Sequence, residues 1–177
     1  MTPKERRDRL FKKDRPLVRR LEVMDGEQYS KDMGILWAAY QAKSFPDLPE
    51  GLTPEQFTNA VDSLQSKYDQ VWIIDDNNGA FKDRKGPVAM ACTNSQGLLV
   101  NAEGTSFKWA SRKNILKASA AFINMVRHSE KTGVLMVKAN EAGVGLCWHL
   151  KKYGLLFYVG KVSKDEHLFS HRGRGSD

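Results

Sequence analysis

The sequence predicts an α/β fold of the α+β kind, with one mixed, mostly antiparallel central sheet of about six strands and helices on both faces. Three features carry that prediction. The chain closes with a helix, a strand, a helix and a strand in tight succession, reading SRKNILKASAAFINMVRHSEK, GVLMVKAN, EAGVGLCWHLKKYG and LLFYVGKV. Before them, QVWIIDD, PVAMACT and LLVNAE are short apolar runs divided by turn residues, the pattern of antiparallel strands. Ahead of those lie two amphipathic helices in a row.

From the amino terminus, residues 1–16 form a basic arm, and LVRRLEVM (17–24) is a first strand with apolar ends and a charged middle. Asp25 or Gly26 then opens a helix whose Met33, Leu36, Trp37 and Tyr40 recur at helical spacing and make one buried stripe. Phe45-Pro46 ends that segment. Thr53, Pro54 and Gln56 stand at the spacing of a capping box, so a second helix starts there, with Phe57, Val61, Leu64 and Tyr68 on its inner face. QVWIIDD and PVAMACT pair across the loop NNGAFKDRKG, and a second turn at Asn94-Ser95-Gln96-Gly97 leads to LLVNAE. Ser111 caps the long helix, in which Ile115, Ala118, Phe122, Met125 and Val126 form the stripe. VLMV is wholly apolar, as a strand covered on both faces is. Val144, Cys147 and Leu150 are buried by the last helix, which Gly154 breaks before the closing strand. The domain therefore spans 17–162, and 163–177 is a polar carboxy-terminal tail.

Composition narrows the class. A chain of 177 residues with 41% hydrophobic, 28% charged and 10% aromatic residues is one globular domain and too apolar to be disordered. No apolar run approaches the roughly eighteen residues of a membrane span, and the start lacks the apolar stretch of a secretory signal. The expectation is a protein made and kept in a cytoplasm, with no membrane partner. Cys92 and Cys147 stand alone on apolar segments and read as reduced core thiols; the four histidines show no metal-ligand spacing, so no metal is expected. Charge is concentrated at the start. Residues 1–20 hold Lys4, Arg6, Arg7, Arg9, Lys12, Lys13, Arg15, Arg19 and Arg20 against Glu5, Asp8 and Asp14, nine minus three, or +6 of the net +7. Such an arm binds a polyanion through counterion release, or an acidic protein surface, or is simply a solvated tail.

The closing residues carry a resemblance. An apolar strand ending in Asn140, a helix, Lys151-Lys152-Tyr153-Gly154-Leu155 and a strand reaching Gly160 resemble the "N…LY-x-K-x-GF…G" ending of the GNAT superfamily of N-acetyltransferases, with Leu155 in place of Phe. The order of elements is similar throughout. WASRKNILKASAAF and YGLLFYVGKV are also similar to the small GNAT-like proteins of tailed bacteriophages.

That resemblance implies acyl-coenzyme A lying between splayed fourth and fifth strands. Its thioester would pair with backbone near Leu99, Val100 and Asn101, and its pyrophosphate would rest on the following helix at Arg112, Lys113 and Asn114, with Asn140 across the gap. The superfamily's pyrophosphate seat, begun at Arg112, needs glycine at position 115 and a small residue at 117, where this chain has Ile115 and Lys117. Ile115 is expected to face the core instead. The tyrosine that commonly protonates the leaving thiolate falls on Leu150, which has no proton to give; Tyr153 is the nearest substitute. Glu103 is the best-placed candidate base, with Asp75 and Asp76 behind it.

Three functions follow, in order of preference. The first is a GNAT fold with a degenerate acyl-CoA site, reused as a structural or interaction component of a phage virion or its assembly. It would have no cofactor, would reside in the infected bacterial cytoplasm and the virion, and its basic arm would contact a partner protein or nucleic acid. The second is an active N-acetyltransferase that takes acetyl-CoA and acylates a primary amine. The third is a nucleic-acid-associated factor acting through phosphate contacts alone.

Overall fold

The computed structural model describes residues 1–12, 16–75, 86–129 and 131–173. Its elements are α1 (Pro3–Phe11), β1 (Leu17–Arg20), α2 (Gly26–Gln41), α3 (Pro54–Lys67), β2 (Gln70–Asp75), β3 (Pro87–Gln96), β4 (Leu99–Ser106), α4 (Arg112–His128), β5 (Val134–Asn140), α5 (Glu141–Lys152), β6 (Phe157–Lys161) and β7 (Glu166–Arg172). One seven-stranded sheet runs β1-β2-β3-β4-β5-β7-β6, antiparallel at every pair except β4 with β5. The loop expected after β2 and residues 174–177 lie outside the described residues.

Helices cover both faces, and the sheet's period-two alternation divides the core accordingly. Val71 and Ile73 of β2 join Leu36, Ala39, Phe57 and Val61 under α2 and α3. Trp72 and Ile74 turn to the other side, where Ala118, Phe122 and Val126 of α4 and Cys147 and Leu150 of α5 pack. Thr53 with Gln56, Asp25 and Ser111 cap α3, α2 and α4 as their spacing predicts.

The seventh strand is a correction. Residues 166–172 were expected in a polar tail; instead β7 inserts between β5 and β6, pairing Val137 with Phe169 and Tyr158 with Phe169. Its sequence EHLFSHR is mostly polar because its residues alternate between a covered face and an open one, and Phe169 alone is fully buried. β1 is also shorter than expected, ending at Arg20, and β3 runs on to Gln96, so the hairpin turn is Gly97-Leu98 with Gly97 at φ 59°. That positive φ suits a two-residue turn that only glycine adopts without strain.

Residues 1–12 are not a free arm. Thr2 and Glu5 form a capping box around Pro3, and α1 docks on the body of the domain. Leu10 and Phe11 pack against the α4 and α5 core, and Arg7 Nη1 donates to the Tyr153 carbonyl. Gly154, at φ 64°, ends α5 at that contact; a Cβ there would stand 2.9 Å from Pro3 Cβ. Charge masked this helix in the sequence, since it buries too few apolar residues to show a stripe.

Candidate functional site

The site is shaped by a pairing that stops early. β4 and β5 are in register only from Leu99–Val134 to Ala102–Val137. Beyond that point β4 continues as Glu103–Ser106 bonded to β3, and β5 continues as Lys138–Asn140 bonded to β7. The two parallel strands thus diverge at their carboxyl ends, where loops and helix starts gather in α/β folds. α4 begins just past the end of β4 and α5 at the end of β5, so both helix amino termini flank the opening.

Leu99, Val100 and Asn101 lie in the half already paired with β5, and the strand edge facing the gap is Glu103–Ser106. Gly104 sits in the middle of that edge. A Cβ there would meet Met90 O at 2.9 Å and Ala91 Cβ at 3.3 Å, so β3 leaves no room for a side chain. Glu103 is exposed and faces the α2 side, because its neighbours Val100 and Ala102 belong to the opposite core. Asp75 ends β2, and Asp76 lies outside the described residues.

The first turn of α4 is closed by its own cap. Ser111 Oγ accepts from Asn114 N at 3.2 Å, and Ile115 N donates to Ser111 O at 2.9 Å. Arg112 and Lys113 are exposed. Ile115 does not face the core as expected: it is half-buried and packs on neither cluster, whereas Leu116 does. Asn140 serves as the N-cap of α5, accepting from Gly143 N at 3.0 Å. Leu150 is 2% exposed within the core, so at the place of the expected acid there is only hydrocarbon. Tyr153 is the C-cap of α5 and lines a cleft with Arg6 and Arg9 of α1 and Lys113 and Lys117 of α4. Burial pushes the thiols of Cys92 and Cys147 up to about 12 and about 11, so neither is a nucleophile near neutral pH. Among the described residues no group of His, Cys, Asp and Glu is placed to hold a metal, and no helix is long and apolar enough to cross a membrane.

The basic residues divide into two sets. Arg6 and Arg9 of α1 join Lys113 and Lys117 of α4 around an open cleft of about 480 Å³, lined also by Met1, Leu10 and Tyr153. Others make contacts inside the fold: Arg19 pairs with Asp32, Arg20 lies 5.3 Å over the Trp72 ring, and Arg7 holds the Tyr153 carbonyl. Lys4 and Lys12 are exposed, while Lys13 and Arg15 lie outside the described residues.

Where α1 meets the ends of α4 and α5, Arg7, Arg127 and His171 converge. Burial, then the charges of Arg127 and Arg7, push His171 below its ordinary value, while the carbonyls of Arg172 and Gly154 pull the other way. Arg127 is lowered by burial and by Arg7, and its Nη1 is buried without a hydrogen-bond partner. The folded state therefore binds the His171 proton more weakly than the unfolded chain. Its contribution to stability is full above about pH 6.5 and is lost as pH falls from there through the lower folded value. Urea unfolding between about pH 8 and about pH 5 should show a loss of stability that His171→Gln flattens. Equal losses in both proteins would remove His171 from the account.

A mixed sheet opened between the one parallel pair among the described residues, with two helices starting at the opening, is the GNAT-like α/β fold. Solved acetyltransferases share it. The aminoglycoside acetyltransferase AAC(6')-Ib, solved with coenzyme A and kanamycin, superposes with a TM-score of 0.63 at 9% identity, over 91% of this chain and 96% of that one. The N-acetyltransferase PseH of Campylobacter jejuni gives 0.60 at 8% identity, over 89% and 97%. A GNAT-family acetyltransferase from Bacillus anthracis gives 0.56 at 14% identity, over 89% and 95%. No protein-family model and no curated protein matches the sequence. At these identities the likeness shows the fold alone.

Proposed function

We propose that this protein uses its GNAT-like fold as an interaction component and not as an acyltransferase. The observation that carries the reading is Leu150. Where the resemblance implies a tyrosine that protonates the leaving thiolate, the chain buries an aliphatic side chain in the core, 2% exposed. The first turn of α4 supports it, because Ile115 and Lys117 occupy positions where close approach of a diphosphate to bare amides needs small residues. The setting we infer, a phage particle or its assembly machinery, rests on the similarity of WASRKNILKASAAF and YGLLFYVGKV to phage GNAT-like proteins.

A ligand that binds only the native state raises its melting temperature. Millimolar acetyl-CoA should shift the melting of this protein by less than about one degree, and no free coenzyme A should appear with a panel of primary amines. A rise of several degrees together with release of free coenzyme A would favour the second reading, acetyl transfer to a primary amine. That reading draws support from the open gap between β4 and β5 and from exposed Glu103 on its edge.

A further inference from the structure

We propose that the cleft between α1 and α4 is a binding site for a compact, multiply charged phosphate group. It deepens the interaction role proposed above by naming the chemistry of the partner, and it rests on that reading.

The cleft is assembled from two elements far apart in sequence. Arg6 and Arg9, three residues apart, share one face of α1, and Lys113 and Lys117, four apart, share one face of α4. Placing α1 against α4 brings these rows together around about 480 Å³, within the range that holds a small ligand. Among the described residues Arg6, Arg9 and Lys113 make no ion pair, although lysines elsewhere do, Lys31 with Glu27 and Lys43 with Glu50. Bringing like charges together opposes docking of the helix, and an anion between them removes that repulsion.

The helix that carries Arg6 and Arg9 is held in place. The capping box at Thr2 starts α1, Arg7 ties it to the end of α5, and Leu10 and Phe11 anchor it on the core. Guanidinium and ammonium donors gathered around one cleft suit phosphate, which accepts several charge-assisted bonds at once; arginine adds the bidentate fork. The site lies on the α1 side of α4, apart from the strand edge at Glu103–Ser106.

Isothermal titration of the full chain with inorganic tripolyphosphate tests this. One saturable site is expected, weakened about tenfold or more in an Arg6→Ala/Arg9→Ala variant and also weakened in Lys113→Ala. Lys161→Ala, on edge strand β6, should bind as wild type. Arg6, Arg9 and Lys113 are exposed, so these variants keep their packing, which circular dichroism checks. A short DNA duplex that tripolyphosphate displaces identifies a nucleic-acid backbone as the source of the phosphate; a duplex that does not bind assigns the site to a small phosphorylated ligand. Absence of saturable binding, or binding that the double arginine variant leaves intact, overturns the proposal. Stabilisation by acetyl-CoA that survives Arg6→Ala/Arg9→Ala would overturn the non-catalytic reading and leave this site standing.

Discussion

Asp32→Ala is expected to lower the unfolding free energy by about 3–5 kcal/mol, read from urea denaturation near neutral pH. Asp32 is 1% exposed and belongs to α2, while Arg19, its partner on β1, is 22% exposed. Both guanidinium nitrogens Nη1 and Nη2 donate to the carboxylate, at 2.5 and 2.6 Å, and Gln28 Nε2 adds a third bond at 3.1 Å. The hydrogen bond to Asp32 raises Arg19 above its ordinary value, against the opposing effect of burial. Removing the carboxylate leaves a half-buried guanidinium with no acceptor, and the cost is that of the orphaned charge more than of the lost attraction. A domain of this size has about 5–15 kcal/mol in all, so the variant should be close to unfolding. Arg19→Met/Asp32→Leu, which removes both charges, should recover most of the loss. A loss below about 1 kcal/mol in the single variant would show that the pair does not form in solution.

Phe57→Ala should cost a similar amount, about 3–5 kcal/mol by guanidinium chloride unfolding. Phe57 is 1% exposed and sits at the centre of the aromatic cluster that joins α2 to α3. Its ring centroid lies 5.5 Å from Trp37, 5.2 Å from Tyr40 and 6.2 Å from Phe45, and Phe45 in turn meets Phe107 beyond the end of β4. Truncation removes the transfer free energy of the ring and leaves a cavity that three rigid rings cannot collapse to fill. Phe57→Leu keeps part of the volume and should cost about half as much. A near-ultraviolet dichroism spectrum unchanged in the alanine variant would show that these rings are not packed on one another.

Local signals were legible wherever the chain punctuates itself. Thr53-Pro54 with Gln56, Asp25 before Gly26, and Ser111 each begin a helix in the structure, because an orphan amide must find an acceptor within three residues. The stripe Phe57, Val61, Leu64 and Tyr68 packs on a single cluster as its spacing predicts. Of the candidate site, the splaying of the fourth and fifth strands was implied by the resemblance, and the aliphatic residue at Leu150 was readable from the ending of the chain. The position of the opening was not. It depends on register, and no residue in LLVNAE marks where β5 stops following β4.

The cation cleft and the Asp32 pair were missed for a related reason. Asp32 lies on a helix whose apolar stripe says nothing of a buried carboxylate, and its partner Arg19 looked like one more charge of a basic arm. β7 carries one fully buried residue, so its alternation is faint until β5 and β6 stand on either side. What the sequence by itself determined was four of the five helices and six of the seven strands among the described residues, and the fold class, since caps and periodicities act between near neighbours. Tertiary structure alone decided the insertion of β7, the docking of α1, the pairing of Arg19 with Asp32 and the end of the β4–β5 ladder. Each of these joins residues far apart in the chain, whose attraction shows only when the rest of the fold has brought them together.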